Sequence, residues 1–165
     1  MNDDLTADRA RTVLRYEAET GRVFWCQSLS KRAAAGREAG TINGDGRRQV
    51  SIDGRRYLTH RIVWLIVHGA WPAHEIDHID GDKLNNRVEN LRDATRTINA
   101  QNTRHARRHS RSGLLGAFWF KRDATWVSKI RIGGHMTHLG YFDTPEKAHA
   151  AFVAAKRKHQ PGCTI

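Results

Sequence analysis

Short apolar runs separated by Gly-containing turns dominate the first half of the chain, and this spacing predicts strands before helices. Val13 to Tyr16 and Arg22 to Cys26 read as two strands joined by the turn Glu19-Thr20-Gly21. Arg48 to Ile52 and Arg55 to Leu58 flank Asp53-Gly54, a pair that supplies the positive φ angles of a tight hairpin turn. Residues 27–46 are rich in Gly, Ala and Arg without periodicity and read as a loop ending in Asn43-Gly44-Asp45-Gly46. Residues 1–12 are polar and read as frayed or as a short helical turn. Thr59 is suited to cap a helix running to about His68, and its nearly continuous run Ile62 to Val67 predicts burial on most sides. Gly69 ends that helix, and Trp71-Pro72 forces an extended exit.

The pattern then becomes polar. Asp77-His78 sits on a short β-like run, and a polar loop follows from Asp80 to Asn86. A second apolar run, Val88 to Leu91, leads to a helix starting at Thr95, with Ile98 on its inner face and Asn99 and Asn102 along it. After Ser112 strands return: Leu114 to Phe120, Thr125 to Ile132 and Met136 to Phe142, with Gly133-Gly134 as a turn. Thr144 can cap a last helix with Pro145 in its first turn, where Ala148, Ala151, Phe152 and Ala155 recur at helical spacing. The expected fold class is α+β. The expected organisation is a β-rich N-terminal part carrying the polar stretch (1–102), a basic linker (103–112) and a second small domain (113–160), a three-stranded antiparallel sheet packed on one helix.

Charge narrows the partner. The 165 residues hold 28 Lys+Arg against 17 Asp+Glu, a net charge of +11, which favours an anionic partner, nucleic acid or an acidic membrane surface. The longest apolar run is far short of the ~20 residues that a membrane span needs, and the polar, acidic start Met-Asn-Asp-Asp is unlike a signal peptide. Cys26 and Cys163 lack CxxC spacing, so neither a Cys-based zinc site nor a disulfide framework is expected, and a reducing cytoplasmic compartment fits. From Thr95 to Ser112 there are five Arg, two His and no acid. Arg104, Arg107, Arg108 and Arg111 in this run suit a linker lying along a phosphate backbone.

The polar stretch carries chemistry of its own. A neutral imidazole titrates near working pH, so His78 is a candidate general base for a water. Asp77 is a candidate charged ligand for a hard divalent cation, and an amide oxygen from the later helix, Asn99 or Asn102, a neutral one. Adjacent strand residues point to opposite faces, so Asp77 and His78 share a site only if the strand twists or ends there. His60 reads as a packing residue, Asn90 as a structural cap, and Asp80 and Asp82 as solvated loop carboxylates.

Residues 75–102, with Ile-Asp-His-Ile-Asp-Gly-Asp-Lys-Leu-Asn-Asn-Arg-Val-Glu-Asn-Leu-Arg at their centre, resemble the HNH nuclease motif of the His-Me finger (ββα-metal) class, in its phage and homing-endonuclease branch. The preceding Tyr57-Leu58-Thr59-His60-Arg61-Ile62-Val63-Trp64 resembles the segment that leads into the motif. The resemblance implies a ββα-metal core, and a Mg²⁺- or Mn²⁺-dependent endonuclease acting on double-stranded DNA in a bacterial host cytoplasm, encoded by a phage or mobile element. By position, His78 matches the general base, Asp77 a metal ligand, Asn86 the middle Asn that braces the loop, and Asn99 the second ligand, with Asn102 the alternative. A DNA-binding protein with an inactive nuclease scaffold is the competing reading, and RNA is an alternative substrate.

In the second domain, alternation puts Trp126, Ser128 and Ile130 on one side of the middle strand and Val127, Lys129 and Arg131 on the other. Lys121, Arg122, Lys129, Arg131 and His138 would line a basic face with Trp119 nearby. Gly116, Trp119, Trp126-Val127-Ser128-Lys129-Ile130-Arg131, Leu139-Gly140-Tyr141-Phe142-Asp143-Thr144 and Ala148…Ala151-Phe152 resemble the DNA-binding domain of the plant ethylene-response-factor (AP2-like) class. That resemblance implies a sheet docked in the major groove, with Lys129, Arg131 and His138 at groove-facing positions. Leu115 and Phe118 stand where plant members tend to carry Arg, so the plant sequence preference does not transfer.

Overall fold

The computed structural model describes residues 5–165; the acidic start, residues 1–4, lies outside the described residues. The first element is a helix, α1 (Ala7–Val13), where the sequence suggested fraying or a single turn. The Thr6 side chain accepts from the Arg9 N–H (3.2 Å), capping the helix start. Ala10 and Val13 are fully buried on its inner face. Val13 is thus the end of a helix rather than the start of a strand.

Strand β1 (Leu14–Glu17) pairs antiparallel with β2 (Arg22–Trp25) across the Gly21 turn. The 27–46 loop contains one short strand, β3 (Thr41–Ile42), which adds to the hairpin of β4 (Arg48–Ile52) and β5 (Arg55–Leu58). Positive φ at both Asp53 (50°) and Gly54 (78°) gives the turn the handedness that matches strand twist. Arg9 clamps that turn through two bonds to the Asp53 carboxylate (2.9 and 2.8 Å).

Helix α2 (Thr59–His68) follows β5 directly. Thr59 is its first helical residue, not its cap; Leu58 holds the cap position without a side-chain bond, and the Thr59 hydroxyl is buried without a partner among the described residues. Gly69 ends the helix in the left-handed conformation (φ 77°). One face, with His60, Ile62, Val63 and Leu65, is buried, while Val67 is exposed, so burial is one-sided rather than general. Ile62, Val63 and Leu65 join Leu5, Val13, Leu14, Val23, Trp25, Val50, Ile52, Ile76 and Leu91 in a single core. Arg11 ties α1 to α2 through the Ile66 carbonyl (2.6 and 3.1 Å).

Strand β6 (Glu75–His78) pairs antiparallel with β7 (Leu91–Ala94). The run expected as a strand from Val88 starts with a single 3₁₀ turn, Val88–Asn90, and becomes strand only at Leu91. Helix α3 (Arg96–Gln101) follows.

The chain divides into two compact units between Arg96 and Thr97, six residues ahead of the boundary expected from the motif. In the second unit, β8 (Ala117–Phe120), β9 (Thr125–Ile132) and β10 (His135–Phe142) form one antiparallel sheet with β9 central, and α4 (Pro145–His159) packs on it. β8 starts three residues later than the apolar pattern suggested. Gly116, at φ 76°, lies where a Cβ would sit 2.0 Å from the Phe152 ring, so the chain turns there against α4 before extending. Thr144 caps α4 by accepting from the Lys147 N–H (3.3 Å). Ser128 and Ile130 are buried under the helix, while Lys129 and Arg131 are exposed on the open side, as the alternation requires.

Candidate functional site

β6 owes its place to Ile76, which is buried in the core, and to its register with β7: Ile76 opposite Asp93, Asp77 opposite Arg92, His78 opposite Leu91. The side-chain period of two sends His78 to the Ile76 side and Asp77 to the other. Asp77 there meets its cross-strand neighbour, and the Arg92 guanidinium donates twice to Oδ2, from Nε (2.9 Å) and Nη2 (2.7 Å). Pairing stops at His78, whose carbonyl accepts from the Gly81 N–H (2.9 Å) as the chain turns. The strand therefore ends at His78. Asp77 is 5% and His78 6% exposed.

Asp80 and Asp82 are exposed, as expected of loop carboxylates, and the loop after His78 is also held by side-chain hydrogen bonds. Asp80 accepts from the Asp82 N–H (2.8 Å), from Asn85 Nδ2 (2.6 Å) and from Asn90 Nδ2 (2.9 Å). Burial alone would raise the Asp80 carboxyl, but these hydrogen bonds outweigh it and hold the group below the usual carboxylate value. Asn90 also accepts from the Asp80 N–H (2.9 Å) and donates to the Asn85 carbonyl (2.8 Å), so one buried amide closes the loop on both sides. Asn90 thus closes the loop, the structural part its sequence context suggested. Asn86, 3% exposed, contacts the imidazole itself, with Oδ1 3.0 Å from His78 Nε2. An amide oxygen only accepts, so this contact is a hydrogen bond in the tautomer that carries the proton on Nε2.

His60 stands edge-on to His78, ring centroids 5.0 Å apart. Burial, then the nearby His78, Arg47 and Arg61, lowers its pKa to about 3. It is an uncharged packing wall, as its sequence context suggested. His74 lies instead on the Asp93 carboxylate, which accepts from the Ala73 and His74 N–H groups and sits 3.2 Å from His74 Nδ1. Beside Asn86 a cavity of about 380 Å³ opens between the Gly21 turn and the 82–87 loop, lined in part by Arg22, Arg48 and Arg87.

In the second unit, Asn99 is half-buried on α3. Asn102 is buried, and its Oδ1 accepts from the Thr164 hydroxyl. Arg104 donates to the Thr164 carbonyl (3.0 Å), so it is tied to the C-terminal tail rather than extended into solvent. Arg107, Arg108 and Arg111 are exposed, and the expected linker folds as turns lining a groove of about 940 Å³ with Leu114, Leu115, Phe118 and Trp119.

Trp119 is opposite Trp126 in the sheet register (rings 5.1 Å apart) and therefore on the helix side, not beside Lys129 and Arg131. Arg111 covers its ring at 4.5 Å. The open face carries Lys129, Arg131 and His138 together with Phe118, Met136 and Tyr141, the last three at least 49% exposed. A bulge between His138 and Gly140 brings the His138 and Tyr141 rings to 4.7 Å. Lys121 is exposed in the β8–β9 turn.

Among the described residues, no group of three or more His, Cys, Asp or Glu side chains is arranged to hold a metal ion, and no helix is long and apolar enough to cross a membrane.

Residues 57–101 match the family model of the HNH endonucleases. The chain is 36% identical over 76 residues to Protein 3.8 of Escherichia phage T7; the match covers 46% of this chain and 62% of that protein's length. Among solved structures it is similar to the HNH homing endonuclease I-HmuI, from a study of that enzyme's DNA binding and cleavage, with a TM-score of 0.40, 20% identity, and coverage of 90% of this chain and 88% of that one.

Proposed function

We propose that the chain is a metal-dependent DNA endonuclease of the phage or homing type, with its chemistry at the end of β6 and its grip on double-stranded DNA supplied largely by the second unit. The observation that carries the reading is the His78–Asn86 contact inside a segment that matches the HNH family. A buried amide fixes one tautomer of an imidazole at a strand end, which is the preparation a general base needs. His78 Nδ1 takes the proton of a water that attacks the phosphodiester phosphorus, and the 3′-oxygen departs. His60, held neutral, keeps a second positive charge away from the imidazole as it becomes protonated.

The donor set suits a hard cation such as Mg²⁺ or Mn²⁺, which keeps several waters and asks for only one or two protein oxygens. Asp77 would supply the carboxylate, oriented by Arg92, which bonds Oδ2. Asn99 would supply the amide oxygen, with Asn102 the alternative. When bound, the cation would stabilise the charge that develops on the departing oxygen.

Phosphate contacts fall to Arg107, Arg108 and Arg111, and groove contacts to Lys129, Arg131 and His138, with Lys121 at the margin and Phe118 and Tyr141 adding apolar contact. This open face of the three-stranded sheet is the AP2-like reading of the second unit. Arg104 and Trp119 contribute indirectly, through the tail and through the seat of Arg111.

The test is cleavage of supercoiled plasmid with Mg²⁺, beside a chelator control and His78→Ala. Loss of at least about 100-fold in rate with retained DNA binding is expected. Equal cleavage by His78→Ala would remove the assigned base. Binding without cleavage under any divalent ion would favour a DNA-binding protein on an inactive scaffold.

A further inference from the structure

The hairpin β1–β2 is remote in sequence from the motif, yet it touches Asn86, which contacts the His78 ring. The Tyr16 hydroxyl accepts from the Val88 N–H (2.9 Å) and donates to the Asn86 carbonyl (3.4 Å). It thus spans the peptides on both sides of Arg87. At the hairpin turn, Gly21 adopts φ 73° and packs so closely that a Cβ would stand 2.6 Å from the Arg87 nitrogen and 2.8 Å from the Asn86 carbonyl carbon. The 86–88 backbone is therefore held by a hydrogen-bonded phenol and pressed by a glycine turn. The side chain this backbone carries is the amide on His78 Nε2.

We infer that the N-terminal hairpin belongs to the catalytic apparatus, with Tyr16 a positioning residue that sets the tautomer and orientation of His78 through Asn86. This rests on the nuclease reading only for its consequence in rate; the geometry stands without it. Packing alone does not account for the arrangement. Core burial of Tyr16 requires an aromatic ring, but the two bonds to the 86–88 backbone require its hydroxyl, and the hydroxyl must stay protonated to donate. Burial, outweighing the Val88 hydrogen bond, raises the phenol above its ordinary pKa, which keeps it protonated throughout the working range.

The test uses the full chain and Tyr16→Phe, which keeps the ring and removes the hydroxyl. With ¹⁵N-labelled histidine, NMR reads the His78 tautomer without any need for cleavage. The wild-type ring is expected as a single Nε2–H tautomer and the variant as a mixture. On plasmid with Mg²⁺, kcat is expected to fall roughly 3- to 30-fold with KM unchanged, as for a misplaced base. Gly21→Ala perturbs the same peptide from the turn and is expected to shift the ring in the same way, which covers the case in which Tyr16→Phe does not fold. An unchanged tautomer and an unchanged kcat in either folded variant overturn the inference. A wild-type chain that does not cleave overturns the nuclease reading instead, and the NMR comparison still decides the positioning role.

Discussion

His60 and His78 pack ring against ring, yet one is a wall and the other sits on an amide that fixes its proton. This difference has a pH consequence. The folded-state pKa of His60 is about 3 against an ordinary 6.5, so between these values the unfolded chain binds a proton that the folded chain does not. Stability therefore rises with pH through this window and is lost as pH falls from 6.5 toward 3, by ~1.4 kcal/mol per pH unit from this residue. The lowered Asp80 pKa acts in the same direction but only below the ordinary carboxylate value, so His60 dominates from pH 6.5 to 4.5. Urea midpoints across this range should fall steeply for the wild type and less steeply for His60→Gln; parallel slopes would mean that His60 is protonated in the folded state. That Asp77 and His78 stand together at the end of a strand before a polar loop was legible from residue type and order. The contact of Asn86 Oδ1 with the His78 ring and the three side-chain bonds of Asn90 to the loop were not, because three asparagines within six residues offer the same chemistry until the loop closes.

The 80–90 loop and α3 are each held by a partner distant in sequence or hidden in a turn. Asn90 makes three side-chain bonds to the loop, so Asn90→Ala should cost about 1–3 kcal/mol in a urea titration. It should also slow cleavage; a variant as stable as wild type would show that Asp80 and Asn85 close the loop alone. Helix α3 has six residues, too few to stand alone in water. It is fastened to the tail through Gln101 to the Gly162 N–H (3.0 Å) and through Asn102 to Thr164, and a Cβ on Gly162 would lie 2.3 Å from the Ile98 carbonyl. Lys156, buried on α4, donates to the Thr103 carbonyl. Truncation at residue 112 would therefore disturb the helix that bears Asn99 as well as remove the sheet. Point substitutions on the open face are the cleaner probe of binding. Helix, hairpin and strand positions were mostly legible from periodicity. The misplaced edges, at Val13, Val88 and Leu114, are sites where a tertiary contact or a 3₁₀ turn decided between two locally acceptable conformations.

For the molecule as a whole, the net charge of +11 would set how it meets a nucleic acid. Each phosphate neutralised releases counterions, so binding should weaken steeply with salt. Lys129→Glu with Arg131→Glu should lower DNA affinity and reduce the slope of log K against log[salt] by roughly 2, measured by fluorescence anisotropy on the His78→Ala background. An unchanged slope would place the phosphate contacts elsewhere, with the arginines of the 107–111 turn the first candidates.

The sequence by itself determined that the protein is basic, that it is built of small antiparallel sheets with few helices, and that Asp77, His78 and a downstream asparagine lie in one polar stretch. These follow from composition, from the alternation of apolar positions and from chain order, all of which are local. The tertiary structure decided which asparagine serves which group, that Trp119 lies under the sheet with Trp126 while Phe118 and Tyr141 share the open face, and that an N-terminal tyrosine reaches the loop beside the base. These depend on strand register and on contacts across as many as 72 residues of chain, as between Tyr16 and Val88. No periodicity encodes such contacts, because they exist only once the core has brought the hairpin against the motif.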